Sequence, residues 1–462
     1  MDELAEINLN FLPDDPDGIY LVGGIVRDLL AGHPPADIDL VVAGNIDRAA
    51  RQIAEKTGGS IIDLGKKGFD VLRVASPETT IDITPLEHPS IESDLQQRDF
   101  TINAMAYDIK ARRLVDCTGG QVDMQHKKIR MVSPAAFEKD PARLVRAYRM
   151  AAVLHYSIAA GTEAAIGRHR HLIGSVAGER VWAELVKIFS TVDSSPVIMR
   201  MAASGLLTAI FPELQPAVGC TQNRHHPFDV FDHSLRVYDA LETLLSEIDA
   251  RFPRLASIAG NAQLSEHAAM LKYAALLHDV GKPATRQVDS DGRVRFRGHA
   301  AESAAIATAI SRRLRLSNRQ RHVSDAVIRH HIRPLFLYLA SENGSLGRTG
   351  TVRFFNRCGD LTLPIIVHAM ADIMAKGEGM QERDSGFLNF CDGLLNAYID
   401  YKDRQATVPP LISGNDLIAV FGLSPSPRFK HILNRVDEGR LSGKLATRNQ
   451  ALKWVGTYLE ES

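Results

Sequence analysis

Tyr20-Leu-Val-Gly-Gly-Ile-Val-Arg-Asp-Leu-Leu30, followed at once by Ala36-Asp-Ile-Asp-Leu-Val-Val42, decides how this chain is read. In an extended strand residues i and i+2 leave the same face, so Asp37 and Asp39 project together while Ile38 and Leu40 face the other way. Two adjacent carboxylates repel unless a cation lies between them. That arrangement holds Mg²⁺ on a nucleoside triphosphate and lowers the cost of in-line attack at its α-phosphorus. Gly23 and Gly24 let backbone approach the triphosphate closely, with amides at the start of the next helix facing its oxygens. A dinucleotide-binding turn is set aside because no GxGxxG follows a strand. Asp82, in Thr80-Ile-Asp-Ile-Thr, is either a third carboxylate or an exposed residue on an alternating strand.

Working outward, residues 1–125 mix β-rich runs (Ile19 to Val22, Ile38 to Val42, Val71 to Val74) with helical stretches such as Ile46 to Lys56, which predicts an α/β head. From about Ser133 apolar residues recur at helical spacing, as in Leu144, Ala147, Tyr148 and Ala151. Pro-containing stretches near Phe211 to Pro216 and Thr407 to Pro410 divide the helical remainder into a neck (126–216), a middle domain (217–405) and a short tail (406–462). The fold class expected is α+β, a nucleotidyl-transferring head followed by all-helical domains.

A chain of 462 residues, 45% hydrophobic, is long enough for several cores. No window approaches a membrane span and residues 1–10 lack a signal pattern, so the expectation is a cytoplasmic protein without membrane contact. Cys117, Cys220, Cys358 and Cys391 form no CxxC pair and read as buried, reduced thiols. A net charge of −1 gives no global nucleic-acid signature, so RNA affinity has to come from local patches. Two present themselves: Arg143, Arg146, Arg149, Arg168, Arg170 and Arg180; and Arg428, Lys430, Arg435, Arg440, Lys444, Arg448 and Lys453.

The head pattern resembles the hGG…DhDh signature of the nucleotidyltransferase superfamily that includes DNA polymerase beta. Asp94-Leu-Gln-Gln-Arg-Asp-Phe-Thr-Ile-Asn-Ala then resembles the RRDFTINA motif of class II tRNA nucleotidyltransferases and bacterial poly(A) polymerases. The resemblance implies that Arg98, Asp99 and Asn103, with Arg27 and Asp28 from the first motif, contact ribose and triphosphate. Gln97 stands where that family has the first arginine of the pair. Val115-Asp-Cys-Thr-Gly-Gly is similar to its short acidic-glycine motif, associated with flexing between head and neck.

Glu138-Lys-Asp-Pro-Ala-Arg-Leu-Val-Arg-Ala-Tyr-Arg resembles the family's EDxxR followed by LRAxRF, with Lys139 replacing the glutamate. Pro141 suits a first helical turn and Asp140 its cap, which would set Asp140 and Arg143 on one helix face. A carboxylate accepts from an exocyclic amine and a guanidinium donates to ring nitrogen or carbonyl, so the pair can hold the pairing edge of cytosine or adenine and refuse uracil and guanine. The bland alternative is a cap with an i,i+3 ion pair. Arg146 follows on the same helix as a further nucleotide contact, and Glu179-Arg180 matches the family's ERxxxEL helix that braces the neck.

In the middle domain His233, then Leu276-Leu-His278-Asp279-Val-Gly-Lys, Gly298-His299, His331 and Asp372 supply histidines and aspartates suited to a divalent transition metal. The set resembles the HD phosphohydrolase superfamily, which implies His233, His278, Asp279 and Asp372 at a first metal and His299 and His331 at a second. His331 is taken over the adjacent His330 on alignment with that family. Gly414 to Pro425, Gly443-Lys and Ala451-Leu-Lys-Trp454 resemble the tRNA-enzyme family's C-terminal segment.

The function expected is transfer of CMP and AMP from CTP and ATP to a tRNA 3′ end, with Mg²⁺ in the head and a transition metal in the HD domain. Complete CCA addition is the first expectation. The short stretch between Thr84 and Asp94 raises addition of CC alone or of the terminal A alone, because relatives that add only CC lack a longer flexible loop there. Polyadenylation is a further alternative, and a hydrolase with a non-catalytic RNA-binding head is the alternative of another class. Oligomeric state and HD substrate are left open.

Overall fold

The structure, a computed structural model, describes residues 9–34, 38–65, 70–222 and 228–460; Asp37 lies outside them. The chain divides into two compact units, residues 1–188 with 200–210, and residues 189–199 with 211–462.

The first unit begins with the α/β head: β1 (Ile19–Val22), α1 (Gly24–Leu30), β2 (Ile38–Val42), α2 (Ile46–Thr57), β3 (Ser60–Asp63), β4 (Leu72–Ala75), β5 (Thr80–Pro85), α3 (Ile91–Leu95), β6 (Ala106–Asp108) and β7 (Arg113–Val115). Seven strands form one sheet in the order β3-β4-β5-β2-β1-β6-β7. Only the β2–β5 pairing is parallel, in a register that sets Asp39 beside Asp82. Alternation sends Leu21, Leu40, Val42, Ile81 and Ile83 to one face, packed with Ile25, Val26, Ala50 and Ile53 of α1 and α2. Val22 and Val41 go to the other face, with Ile91 and Leu95 of α3. Both faces being covered, the strands read as nearly continuous apolar runs. Asp39, two residues before Val41, therefore belongs to the α3 face.

The helical part of the unit holds α4 (Gly120–Gln125), β8 (Lys128–Ile129), α5 (Ala135–Lys139), α6 (Arg143–Leu154), β9 (Ser157–Ile158), α7 (Ala160–His169), most of α8 (Gly178–Ser190), the second half of α9 (Ser195–Ala203) and α10 (Leu206–Ile210). The acidic-glycine motif is a closed turn: the Asp116 carboxylate accepts the amides of Thr118, Gly119, Gly120 and Gln121 at 2.8–3.3 Å. Glycine is required at 120, where a Cβ would come within 2.4 Å of the Thr101 carbonyl. The neck helix starts later than the sequence suggests. Asp140 ends α5 in extended conformation (φ −144°), and α6 begins at Arg143 with Ala142 as its cap residue. Asp140 still caps the turn leading into it, its carboxylate accepting the Ala142 amide at 3.3 Å, and its extended backbone is the conformation that the following Pro141 favours.

The second unit contains α11 (Val230–Arg251), α12 (Gly260–Leu277), α13 (Lys282–Thr285), the hairpin β10 (Arg286–Val288) and β11 (Val294–Phe296), α14 (His299–Arg313), α15 (Asn318–His330), α16 (Arg333–Glu342), α17 (Arg348–Cys358), α18 (Thr362–Met374) and α19 (Glu382–Thr407). A buried ion pair, Lys272 with Glu242, anchors residues 189–199 here, since Glu242 also accepts the amides of Ser194 and Ser195 at 2.8 and 2.7 Å. The tail, α20 (Gly414–Phe421), α21 (Pro427–Leu441) and α22 (Arg448–Glu460), closes on its own core of Ile412, Leu417, Ile432, Val436, Ala451 and Val455. Three arginines of the C-terminal basic run are neutralised there: Arg435 by Glu438, Arg440 by Asp437 and Arg448 by Asp416. Among the described residues no helix is long and apolar enough to cross a membrane. All four cysteines are free thiols, but the expectation that they are buried holds only for Cys358 and Cys391; Cys117 is exposed and Cys220 half-buried.

Candidate active sites

In the first unit, strand ends, α3 and the α5–α6 junction enclose a cavity of about 950 Å³. Gly23, Gly24, Asp39, Arg98, Asp99 and Asn103 line one part of it, and Gln97, Lys139, Asp140, Arg143, Arg146 and Arg180 another. Gly23 has φ 76°, and a Cβ there would lie 3.4 Å from an Arg98 guanidinium nitrogen and 3.6 Å from an Asp39 carboxylate oxygen. The glycine thus sits between a cation and a carboxylate with its backbone open to an incoming phosphate. Asp82, weighed as a third carboxylate, is engaged by Arg73 at both oxygens, at 2.7 and 2.8 Å, and does not line the cavity.

A chain of charged contacts links the two parts. Arg27 pairs with Asp28 at 2.7 Å and donates to Asn103 Oδ1 at 2.8 Å. Asn103 donates to Asp99 Oδ1 at 3.2 Å, and Asp99 Oδ2 accepts from Arg146 at 3.3 Å. Glu184 of α8 then holds Arg146 at 3.0 Å and Arg149 at 2.5 Å. Arg27 and Asp28 stand outside the lining and act on it through Asn103. Of the first basic patch, Arg143, Arg146 and Arg180 line the cavity and Arg149 supports it, while Arg168 and Arg170 lie elsewhere.

Asp140 and Arg143 are brought to one wall and joined by a backbone bond from the Arg143 amide to the Asp140 carbonyl at 3.0 Å, yet their side chains do not bond to each other. Asp140 accepts from Arg180 at 2.8 Å, and burial of its carboxyl is outweighed by Arg180, so its pKa is lowered. Arg143 donates to the carbonyls of Gln97 and Ala136 at 3.2 and 3.3 Å, and its Nε is buried without a partner. Burial lowers the Arg143 pKa. The i,i+3 ion pair of the bland alternative is replaced by separate tethers, with the pair held side by side on the wall. The two positions that depart from the family meet as well: Lys139 Nζ donates to Gln97 Oε1 at 2.9 Å.

The second unit gathers its histidines at helix ends. His233 sits in the first turn of α11, His278 and Asp279 directly follow α12, His299 opens α14, His331 follows α15, and Asp372 lies near the end of α18. Nδ1 of His278, His299 and His331 bonds to the carbonyl three residues back, at 2.9, 2.8 and 2.6 Å, which turns each Nε2 inward. His233 Nε2 is 2.8 Å from Asp372 and 3.9 Å from Asp279; His278 Nε2 is 3.1 Å from Asp279. Three overlapping sets have the convergence a metal requires: His233, His278 and Asp279; His278, His331 and Asp372; Asp279, His299 and His331. His331 thus joins both parts of the centre, whereas His330 is turned away to accept from Arg333 at 2.8 Å.

The donor set fits a divalent ion on two observations. His278 Nε2 and Asp279 Oδ1 are buried without a hydrogen-bond partner, and the mix of imidazole and carboxylate suits a transition metal. Burial opposes the charged form of His278, but Asp279 and Asp372 raise its pKa to about 10. Burial, followed by neighbouring His278, drives His331 down to about 3. Gly281 is needed here, since a Cβ would meet the Ser303 amide at 2.5 Å. A cavity of about 540 Å³ adjoins the centre, lined among others by Asp279, Lys282, Phe296, His299, His331 and Asp372.

Two side chains of this centre escape the sequence reading. Lys282 pairs with Asp279 at 2.5 Å and donates to Gln222 at 2.6 Å, and the "GK" after the aspartate was its only signal. His368 is fully buried against His278. Its signal was the four-residue spacing to Asp372.

Known proteins match this chain along most of its length. The family model "Poly A polymerase head domain" matches residues 19–130, "Probable RNA and SrmB-binding site of polymerase A" residues 155–218, and "HD domain" residues 230–345. The A-adding tRNA nucleotidyltransferase of Deinococcus radiodurans is 32% identical over 98% of this chain and 98% of its own. The CC-adding tRNA nucleotidyltransferase of Thermus thermophilus is 30% identical over 96% of this chain and 94% of its own. Among solved structures, a CCA-adding enzyme in complex with ATP superposes with a TM-score of 0.66 at 21% identity, covering 96% of this chain and 90% of that one. The Thermotoga maritima CCA-adding enzyme complexed with tRNA gives 0.64 at 20% identity, covering 99% and 98%.

Proposed function

This chain belongs to the family of tRNA nucleotidyltransferases and poly(A) polymerases with a fused HD domain, and from that membership we propose that it transfers CMP and AMP from CTP and ATP to the 3′ end of tRNA. The observation that carries the proposal is the single cavity in which Asp39, Arg98 and Asp99 share a lining with Asp140, Arg143 and Arg180. A triphosphate-sized site thus adjoins a base-selecting wall made only of protein.

Asp37 and Asp39 would hold Mg²⁺, which when bound supplies charge neutralisation at the α-phosphate and a more acidic 3′ hydroxyl. The 3′ oxygen attacks the α-phosphorus, and the bond to the β-phosphate breaks to release pyrophosphate. Gly23, Gly24 and Arg98 receive the triphosphate, with Asn103 and Asp99 oriented behind it by Arg27, Asp28 and Arg146. Asp140 accepts the exocyclic amine of cytosine or adenine and Arg143 donates to the adjacent ring acceptor. A cytoplasmic location is part of this reading, supported by work on tRNA.

One observation favours a partial product. Only Leu86 to Ser90 separate β5 from α3, and that link is ordered by a capping box in which Ser90 and Ser93 bond reciprocally. The link is short beside the longer loop of relatives that complete CCA, which supports as a second reading the addition of CC alone or of the terminal A alone. Purified full-length protein given tRNA lacking CCA, ending in C, and ending in CC, with CTP and ATP together, tests both by end-group sequencing. Complete ends establish CCA addition, ends stopping at CC the partial reading, and activity confined to tRNA ending in CC an A-adding enzyme. No incorporation on any substrate overturns the proposal.

For the second unit we propose hydrolysis of a phosphate ester. His233, His278, Asp279 and Asp372, with His299 and His331, would hold a divalent transition metal that supplies an acidified water. Loss of phosphatase and phosphodiesterase activity on chelation, restored by Mn²⁺, Co²⁺ or Ni²⁺, is the expected result.

A further inference from the structure

His368 leaves α18 one turn before Asp372, so the two side chains share a helix face. The imidazole is completely buried, and neither of its nitrogens has a hydrogen-bond partner. Buried polar groups in folded proteins are almost always bonded, because desolvating one without a partner is pure cost. A histidine serving only as packing would be better replaced by leucine or phenylalanine. The position of the ring gives the reason for it. Its centroid lies 5.1 Å from that of His278 and 5.9 Å from that of His331, which are 5.1 Å from each other. Three imidazoles sharing one tetrahedral ion at nitrogen distances of about 2.1 Å hold their centroids about 5 Å apart. His278 and His331 already have Nδ1 committed to helix carbonyls and Nε2 turned inward.

We propose that His368 is a further ligand of this metal centre, completing a three-histidine face with His278 and His331. The proposal rests on the reading of the centre as a metal site. Its nitrogens stand outside the three convergent sets, so ligation asks the ring to turn about its own side-chain bonds. With Asp372 beside it, that face would make one ion of the centre nitrogen-rich and would favour the softer divalent metals over Mg²⁺.

Co²⁺ is the probe, since its visible absorption reports the ligand set. Full-length wild type, His368→Leu and His368→Gln are titrated with Co²⁺ by calorimetry and absorption, and melted with and without the ion. Leucine matches the shape and removes both unpaired nitrogens, so the melting temperature without Co²⁺ should hold or rise. Co²⁺ affinity should fall by about 10–100-fold or more, at least the loss seen for groups that merely support a ligand. The absorption spectrum should change with it. His368→Gln, which keeps a polar end, should show the same loss of affinity and guards against a leucine variant that fails to fold. Unchanged affinity and spectrum in both variants overturn the proposal and leave His368 a packing residue. Failure of the wild type to bind Co²⁺, Mn²⁺ or Ni²⁺ overturns the metal reading itself, an outcome distinct from the first.

Discussion

In the nucleotide cavity the charged side chains satisfy one another across elements, from Asp28 through Arg27, Asn103, Asp99 and Arg146 to Glu184. In the HD centre, His278 Nε2, Asp279 Oδ1 and both nitrogens of His368 are buried with no partner. The first site is held by ion pairs between its own side chains, with Arg143 Nε left buried and unbonded on the selecting wall, and its selectivity lies in the geometry its tethers maintain. The second gathers buried donors that its own ion pairs, Lys282 with Asp279 and His233 with Asp372, leave partly unbonded and that a bound ion would engage. Damage to the first should therefore appear in activity and selectivity, and damage to the second in stability and metal dependence too.

The largest expected effect tests that separation. Asp39→Ala should lower single-turnover nucleotide incorporation by about 10³-fold or more, the several kcal/mol that a metal-held charge contributes to phosphoryl transfer. tRNA binding by filter assay and HD hydrolysis should be unchanged, and a parallel loss of hydrolysis would show that the two sites are not independent. Next in size is Asp279→Ala. It leaves the buried His278 and Lys282 without their shared carboxylate, and should destabilise the chain by about 3–5 kcal/mol, read by urea unfolding in chelator. Nucleotide addition should survive below the melting temperature while hydrolysis disappears. A variant as stable as wild type would remove the contrast in how the two sites carry charge.

On the selecting wall, Asp140→Ala or Arg143→Ala should relax the preference for CTP and ATP over UTP and GTP by about 10–100-fold, the 1–3 kcal/mol that a good two-point base contact discriminates. The measurement is kcat/KM for each triphosphate. Because Asp140 is tethered to Arg180 and Arg143 to backbone carbonyls, each variant should keep its fold. Unchanged preference in both would return the pair to a purely structural role.

What the sequence made legible was local. The glycine pair, the strand alternation around Asp39 and helix α2 follow from neighbours along the chain, and Asn45 caps that helix as its residue type suggests. Asp140 caps the turn that leads into α6 as its residue type suggests, accepting the Ala142 amide at 3.3 Å, although the helix proper begins at Arg143. Partners across elements were hidden: Arg73 for Asp82, Arg180 for Asp140 and Glu184 for two arginines are set by tertiary packing that no spacing encodes. His368 was hidden differently, since a lone histidine in an apolar helix offers only its four-residue spacing to Asp372, and its burial beside His278 is what gives that spacing meaning.

The smallest expected effect lies where the chain departs twice from its family. At the positions of Gln97 and Lys139 the family has an arginine and a glutamate, and here Lys139 donates to Gln97 at 2.9 Å. This strap ties α3 to α5 with its cation on the neck side, one residue from Asp140. Arg143 also donates to the main-chain oxygen of Gln97, so any movement of the strap is passed to the selecting arginine. Gln97→Arg alone sets a guanidinium against an ammonium and should disturb selectivity; Lys139→Glu alone leaves the amide of Gln97 a new acceptor and should be mild. The double variant restores an ion pair. Both side chains are exposed, so the coupling in a double-mutant cycle on CTP-over-ATP preference should be about 0.2–1 kcal/mol. A coupling of zero would mean that the carbonyl contacts of Arg143 alone position it. A coupling of several kcal/mol, in a solvent-exposed pair, would mean that this wall depends on its tethers as strongly as the HD centre depends on its ion.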